Sequence, residues 1–433
     1  MTTSLRPPAA PTRRLTAATW NPEDPVFWAA TGARTARRNL VWSVFAEHIG
    51  FSVWSLWSVL VLFLGPEYGI DAAGKFLLTA LPTAVGACLR IPYASAVAVF
   101  GGRTWTVVSA LLLLVPVTVT AVLLEPGVSY GTLLLCAALG GFGGGNFASS
   151  MANVNAFYPR HLKGWALGVN AGGGNLGVPA VQLLGLAVLA TAGAAHPRVL
   201  VLLYVPLVAV AALCAALRMD DLRLPRVTFP LRTLVTRRHT WLVSLLYIGT
   251  FGSFIGFSFA FGQVLQVQFA GSFATPVDAA YLTFAGPLLG SLARPLGGRL
   301  ADRFGGGRVS LGAFAGMAGG ALLALLASRA HSLPLFVAAF TALFVLSGAG
   351  NGSTYKLIPA APPERDAATT RSRDNALIGF AGAIGAFGGV LVNIAFRQSF
   401  LTAGEGDLAY GAFLAVYVVC GAVTWTAYAR GER

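Results

Sequence analysis

Two arginines lie deep inside long apolar runs of this sequence. Arg90 lies in the run LRIP, and Arg294 lies in the run ARP. A guanidinium group stays protonated at any physiological pH, and a charge at the centre of a bilayer costs about 2.5–3.5 kcal/mol on insertion scales. Its planar fork of N–H donors matches a flat oxyanion. The pair therefore predicts a buried site for a small planar anion.

Glu47 and His48 lie in the run FAEHIG of the first apolar segment. Among the carboxylates in the apolar segments, only Glu47 is available to the two arginines. One carboxylate cannot neutralise both arginines, so we do not expect each of them to be held in a structural ion pair. Both Glu47 and His48 can gain and lose protons. Importing a monovalent anion against an inside-negative potential costs about 2.3 kcal/mol per 100 mV, which one co-transported proton cancels. We predict proton coupling through Glu47 and His48. The alternatives are exchange of equal anions, and a hydrated position near the helix start.

Glycine and asparagine are concentrated between Gly140 and Gly177, in GGFGGGNFASSMANVNAFYPRHLKGWALGVNAGGGNLG. Glycine lets helices approach closely in lipid. Asparagine in lipid is costly unless it has a partner or faces a wet cavity. The stretch therefore predicts two packed, polar-lined helices around a small polar ligand, and the alternative is that its glycines serve packing alone.

The composition indicates a membrane protein, because 56% of the chain is hydrophobic and only 11% is charged. Soluble proteins carry about 25% charged residues. We predict an all-α membrane protein of twelve transmembrane helices in two pseudo-symmetric six-helix halves. The spans are predicted at 39–65, 74–99, 104–124, 128–157, 162–192, 198–218, 241–269, 277–300, 309–328, 333–357, 375–399 and 408–429.

The net charge of +14 follows the predicted topology. Of the 30 lysines and arginines, 24 lie in the tails and even-numbered loops and four in the odd-numbered loops. This is the positive-inside pattern, so both termini are predicted to be cytoplasmic. The predicted parts are a cytoplasmic tail (1–38), a first half (39–218), a basic linker (219–240), a second half (241–429) and a cytoplasmic C-terminus (430–433).

The two halves repeat each other. Arg90 corresponds to Arg294 at an offset of 204 residues, and Asn146 corresponds to Asn351 at an offset of 205. Glycines of the fifth and eleventh spans match at an offset of 211. Duplicated halves around a midplane site are typical of secondary transporters.

The run GNFASSMAN beginning at Gly145 and the run GVNAGGGNLG beginning at Gly168 resemble the nitrate signature of the nitrate/nitrite porter family, within the major facilitator superfamily. The run WNPEDPVFW beginning at Trp20 resembles an N-terminal segment of its bacterial members, and we expect it to act as an interfacial anchor. The resemblance implies that the two arginines bind substrate, Tyr247 donates to it, Phe147 and Phe251 sandwich it and Asn175 contacts it.

Two groups of site residues follow from these observations. The predicted substrate-binding residues are Arg90, Arg294, Tyr247, Phe147, Phe251, Asn175, Asn146, Gly144 and Asn351. The predicted packing and gating glycines are Gly168, Gly172, Gly174, Gly177, Gly379, Gly382, Gly385 and Gly388. By helical spacing, Phe254 is expected on the same face as Tyr247 and Phe251.

The predicted function is secondary active transport of nitrate and nitrite across a bacterial cytoplasmic membrane, with protons as the coupling ion. The chain has no GxxxxGK[ST] motif for ATP binding. Nitrate/nitrite antiport is the alternative, followed by a major facilitator for another small anion or a drug. A membrane enzyme or sensor is disfavoured, because neither HExxH nor GxSxG occurs. We expect a monomer in the bilayer with no cofactor, metal or nucleic-acid partner.

Overall fold

The structure is a computed structural model that describes residues 14–16, 19–223, 229–358, 364 and 367–431. Long helices dominate these residues, and they confirm the predicted all-α membrane fold. The helices of the bundle are α1 (Ala33–Phe63), α2 (Ala72–Phe100), α3 (Gly102–Leu123), α4 (Tyr130–Phe157), α5 (Arg160–Ala192), α6 (Pro197–Arg218), α7 (Arg238–Gln268), α8 (Ala285–Phe304), α9 (Gly306–Arg329), α10 (Leu333–Tyr355), α11 (Ala367–Ala403) and α12 (Asp407–Ala427).

Eleven helices of the described chain are long and apolar enough to cross a membrane. The remaining helix of the bundle, α8, is 20 residues long but carries Arg294, Arg299, Asp302 and Arg303. Its low hydropathy follows from these charges, and it packs against α10 along its length.

Short elements lie at the ends of the bundle. Strands β1 (Arg14–Thr16) and β2 (Asp221–Arg223) form a parallel pair between the tail and the linker. The other short elements are the helices Pro25–Phe27 and Leu231–Val235, a π-helical turn at Trp28–Gly32 and 3-10 turns at Pro66–Tyr68, Ala270–Ser272, Pro276–Leu282 and Ala429–Gly431. The seventh helix already begins at Arg238, within the predicted linker.

The tail packs on protein, so the predicted interfacial anchor is wrong for Trp20. This side chain is only 5% exposed. Its ring meets Phe27 and Phe157 edge-on, with both centroid distances at 5.2 Å. Glu23 Oε1 also accepts a hydrogen bond from the Arg160 backbone N–H at 3.1 Å. The tail therefore covers the turn between α4 and α5.

Several long helices are interrupted where they carry site residues. α4 breaks at Gly141 and α5 at Leu176, both in or beside the Gly/Asn-rich stretch. In α7, residues Ile248–Gly252 form a π-helical turn. A π turn is frequent at functional sites, and it adds a residue to one turn of the helix. The extra residue comes after Tyr247 and before Phe254, so the spacing no longer places Tyr247, Phe251 and Phe254 on one face.

Phe254 instead packs toward α8 and α10. Its ring meets Phe344 edge-on at 6.2 Å, and it lies against Gly290, where an added Cβ would come within 2.8 Å of the Phe254 ring. The prediction of one face shared by all three aromatic residues of α7 is therefore wrong.

The two halves meet differently at the two ends of the bundle. We call the end that holds the start of α1 and the end of α12 the terminal end, and the opposite one the far end. At the far end, Gln263 Nε2 donates to the Ala72 carbonyl at 2.6 Å, and Thr79 Oγ1 donates to Asn393 Oδ1 at 2.7 Å. Each bond joins the first half to the second, so the far end is closed.

Candidate functional site

The two arginines meet in the middle of the bundle. Arg90 of α2 is 0% exposed and Arg294 of α8 is 3% exposed. The Arg90 Cζ lies 4.5 Å from the Phe147 ring centroid and 4.7 Å from that of Phe251. The corresponding distances for the Arg294 Cζ are 5.7 and 5.9 Å. The two guanidinium groups therefore share the same pair of rings, one arginine coming from each half.

Arg90 is held by the backbones of both halves. Its Nε donates to the Gly144 carbonyl of α4 at 3.3 Å, and its Nη1 donates to the Gly382 carbonyl of α11 at 2.8 Å. The Trp54 ring lies 5.4 Å from its Cζ. The Nη2 nitrogen is buried without a hydrogen-bond partner. One donor of Arg90 thus remains for a ligand.

Among the described residues, Arg294 has a single side-chain hydrogen-bond partner. Its Nη2 donates to the Tyr247 hydroxyl at 3.2 Å, and its buried Nη1 has no partner. The Tyr355 ring lies 6.0 Å from its Cζ. Among the ion pairs of the described residues, none includes Arg90 or Arg294. The positive charge of both groups is therefore free to attract an anion.

The aromatic rings face each other nearly in parallel. Phe147 and Phe251 have centroids 5.8 Å apart and planes 26° apart, and Tyr247 stacks on Phe251 at 5.2 Å and 14°. A flat ion between two rings needs about 7 Å, because each face requires a contact distance of about 3.5 Å. The two phenylalanines must therefore separate by about 1 Å to hold one.

Three predicted asparagines are buried near this region of the bundle. Asn146 and Asn175 each have an amide oxygen with no partner, and Asn351 has neither amide atom partnered. Unsatisfied buried amides are uncommon and mark places where water or a ligand completes the hydrogen bonds. Gly50 leaves room for Asn146, because an added Cβ would come within 2.5 Å of the Asn146 Nδ2.

Glu47 and His48 face different surroundings. Glu47 is 1% exposed, and its Oε2 accepts a hydrogen bond from Asn170 Nδ2 at 2.5 Å. Asn170 Oδ1 accepts in turn from Ser150 at 2.8 Å, while Glu47 Oε1 is buried without a partner. The His48 Nδ1 lies 3.2 Å from the Gly173 carbonyl. The hydrated position considered for Glu47 is therefore wrong.

The predicted packing glycines divide into two groups. An added Cβ would collide with Glu47 at Gly174, the His48 carbonyl at Gly177, Tyr247 at Gly385 and Gly252 at Gly388. Nothing lies within 4 Å of such a Cβ at Gly168, and contacts at Gly172, Gly379 and Gly382 are of ordinary length. At these four positions no neighbouring atom requires glycine in this conformation. Gly168 borders a cavity, and the gating role of the eight glycines stays a prediction.

That cavity of about 870 Å³ opens at the terminal end of the bundle. Its inner wall includes Arg294, Tyr355 and Met151, and its mouth includes Arg160 and Arg299. The cavity therefore reaches Arg294. Arg90 and the two phenylalanine rings do not line it.

Comparisons with known proteins agree with this geometry. Residues 44–390 match the family model of the Major Facilitator Superfamily. The chain is 38% identical to the nitrate/nitrite transporter NarU of Salmonella typhimurium, over 95% of this chain and 96% of that protein. It is 35% identical to a probable nitrate/nitrite antiporter, NarK2, of Thermus thermophilus, with the same coverage. The chain belongs to the Major Facilitator Superfamily, and within it to the nitrate/nitrite porter family.

The fold of this superfamily member also matches a solved transporter. A bacterial homologue of the human lysosomal transporter Spinster, in an inward-facing and unoccupied conformation, superimposes with a TM-score of 0.62. The two chains share 17% identity, and the match covers 90% of this chain and 96% of the other. This likeness supports the major facilitator fold and nothing finer.

Sequence reasoning missed Trp54, Tyr355 and Asn170 in this porter. Asn170 lies within the Gly/Asn-rich stretch, and Tyr355 follows the predicted Asn351 by one helical turn, so both carried a usable signal. Trp54 lies in an apolar run of α1 with other tryptophans. Its residue type and spacing do not distinguish it from an aromatic residue that only packs against neighbouring helices.

Proposed function

We propose that this protein is a secondary active transporter of nitrate, and of nitrite, in the cytoplasmic membrane of a bacterium. The observation that carries the proposal is the arginine pair. Each half supplies one buried guanidinium with one unpartnered donor, and both lie at the same pair of rings. Its relative NarU is named a nitrate/nitrite transporter, and its relative NarK2 is named a probable nitrate/nitrite antiporter.

The chemistry of the site favours a flat monovalent oxyanion over other ligands. Two permanent positive charges disfavour cations, and the paired forks offer hydrogen bonds to oxygen atoms. Nearly parallel rings leave a slot for a planar ion once they separate. A tetrahedral divalent ion such as sulfate does not fit a slot of this shape.

Transport across the membrane is proposed to follow alternating access. The far end is closed by bonds between the halves, and the terminal end opens into the cavity that reaches Arg294. The excess of basic residues in the tails and even-numbered loops supports a cytoplasmic terminal end. In this arrangement the conformation described here is open to the cytoplasm.

Proton-coupled uptake is our proposal for the energy source. Glu47 is buried, and its carboxylate lies within electrostatic range of both arginines. When nitrate binds, a proton on Glu47 removes the repulsion between the carboxylate and the anion. Nitrate and the proton therefore cross the membrane together. Exchange of nitrate for nitrite is the second candidate, because two anions of equal charge that cross in opposite directions need no coupling proton.

An experiment in liposomes tests both parts. Purified protein is reconstituted, an outside nitrate gradient is applied, and internal nitrate and internal pH are followed together. We expect nitrate entry with internal acidification. Nitrate entry that requires internal nitrite and leaves the internal pH unchanged would establish exchange instead, and no entry under either condition would refute nitrate transport.

The variant Glu47→Gln isolates the proton. We expect it to lose proton-driven nitrate uptake and to keep nitrate/nitrite exchange, because the amide preserves the shape and cannot release a proton. The matched control is Glu67→Gln, at an exposed carboxylate of the far-end loop between α1 and α2. If Glu47→Gln retains wild-type pH dependence, Glu47 has no part in coupling.

A further inference from the structure

Three buried hydrogen-bond donors without partners surround the proposed anion position. They are the Arg90 Nη2, the Arg294 Nη1 and the Tyr355 hydroxyl, supplied by α2, α8 and α10. The Tyr355 ring centroid lies 6.0 Å from the Arg294 Cζ and 6.0 Å from the Tyr247 ring centroid. All three donors therefore belong to one cluster.

Tyr355 forms the boundary between the site and the cavity. Its side chain lines the cavity beside Arg294, while its hydroxyl oxygen is buried. A buried hydroxyl without a partner loses its hydrogen bonds to water and is costly unless a ligand restores one. Tyr247 differs in having one partner, because its hydroxyl accepts a bond from Arg294. Its own proton is still available to donate, so Tyr247 is a second candidate donor.

The two substrates of the proposed function differ in what they need. Nitrate presents three equivalent oxygens in one plane, whereas nitrite presents two oxygens and a nitrogen lone pair. The two arginine donors can serve two oxygens of either ion. Only nitrate has a third oxygen that requires another donor.

We propose that Tyr355 is a specificity-determining residue that donates its hydroxyl proton to the third oxygen of nitrate and thereby favours nitrate over nitrite. This inference rests on the proposed function. Its competitor is Asn351, which lies one turn earlier on α10 and has an unpartnered Nδ2.

The test compares nitrate and nitrite binding to purified wild type and Tyr355→Phe by calorimetry. A hydrogen bond to a charged group corresponds to about a tenfold change in affinity or more. We expect nitrate to bind about tenfold more weakly to Tyr355→Phe and nitrite to bind within about twofold of wild type. The matched control is Tyr417→Phe, which removes a buried hydroxyl that donates to Ser253 Oγ at 2.8 Å. In this control, the affinities for nitrate and for nitrite should both equal those of wild type.

Several outcomes overturn the inference. Equal weakening of both ions assigns Tyr355 to the shape of the pocket, and unchanged binding removes it from the site. Selective loss of nitrate in Asn351→Leu with none in Tyr355→Phe transfers the role to Asn351. Tyr355→Leu, which also lacks the hydroxyl, serves if the phenylalanine variant does not fold. Failure of the proposed function is distinguishable, because the wild type would then bind neither ion.

Discussion

Arg90 and Arg294 occupy equivalent positions in the sequence repeat, yet their surroundings differ. Arg90 is enclosed and is held by two backbone carbonyls, one in each half of the molecule. Arg294 has one side-chain partner, Tyr247, and borders the open cavity. Backbone carbonyls fix a group more firmly than a tyrosine hydroxyl does. The comparison suggests that Arg90 is the anchor of the site and that Arg294 is the arm that meets the ion from the cavity.

Replacement of either arginine by lysine tests what the two positions share. We expect Arg90→Lys and Arg294→Lys each to reduce nitrate uptake in liposomes by on the order of 100-fold, because lysine keeps the charge and loses the donor fork. Wild-type rates in either variant would show that the guanidinium group is not required at that position.

The same two variants should differ in stability. Arg90→Lys loses the hydrogen bonds to the Gly144 and Gly382 carbonyls, which costs about 1–3 kcal/mol. Arg294→Lys loses only the bond to the Tyr247 hydroxyl, which can turn to another partner. Thermal melts without nitrate should therefore fall further for Arg90→Lys. A larger fall for Arg294→Lys would reverse the assignment of anchor and arm.

Two glycines on α11 lie beside different arginines of the site. An added Cβ at Gly385 collides with Tyr247, the partner of Arg294, whereas at Gly382 it lies 3.5 Å from the Arg90 Nη1 in ordinary contact. We expect Gly385→Ala to cost about 1–3 kcal/mol of stability through overpacking and to lower uptake. The matched control is Gly379→Ala on the same helix, where the added Cβ meets only Ala94 at 3.8 Å, and this variant should fold and transport close to wild type. Equal effects would show that the glycines of α11 serve packing without distinction.

Tyr247→Phe should produce the smallest change, confined to the Arg294 side. The ring still stacks on Phe251, and only the hydrogen bond to Arg294 is lost. We expect the KM for nitrate to rise roughly three- to tenfold, as for loss of one hydrogen bond, with the melting temperature nearly unchanged. A lowered kcat with unchanged KM would place Tyr247 in the conformational change instead of in binding.

The sequence predicted the parts of this site that follow from cost and repetition. A charge in lipid is expensive, so Arg90 and Arg294 were recognisable from their positions inside apolar runs. The sequence repeat then related the two residues. Long apolar runs predicted the bundle, because a helix is the element that satisfies its own backbone in lipid.

The features that sequence reasoning missed depend on local geometry. The π turn of α7 shifts Phe254 relative to Tyr247 and leaves no clear pattern in the sequence. The packing of a glycine depends on its distance from the opposite helix, which differs between Gly168 and Gly177 although both lie in one run. Trp20 reads as an interfacial aromatic residue, but it is buried by Phe157, more than a hundred residues along the chain.

The central claim is that one flat oxyanion is held between the two arginines, and anion-specific thermal stabilisation of the purified protein tests it most directly. The melting temperature is measured in nitrate, chloride and sulfate at equal ionic strength, for wild type and for Arg90→Lys combined with Arg294→Lys. We predict that nitrate raises the melting temperature of the wild type alone and that chloride and sulfate do not. Equal stabilisation by all three anions, or a nitrate effect that survives in the double variant, would contradict the account.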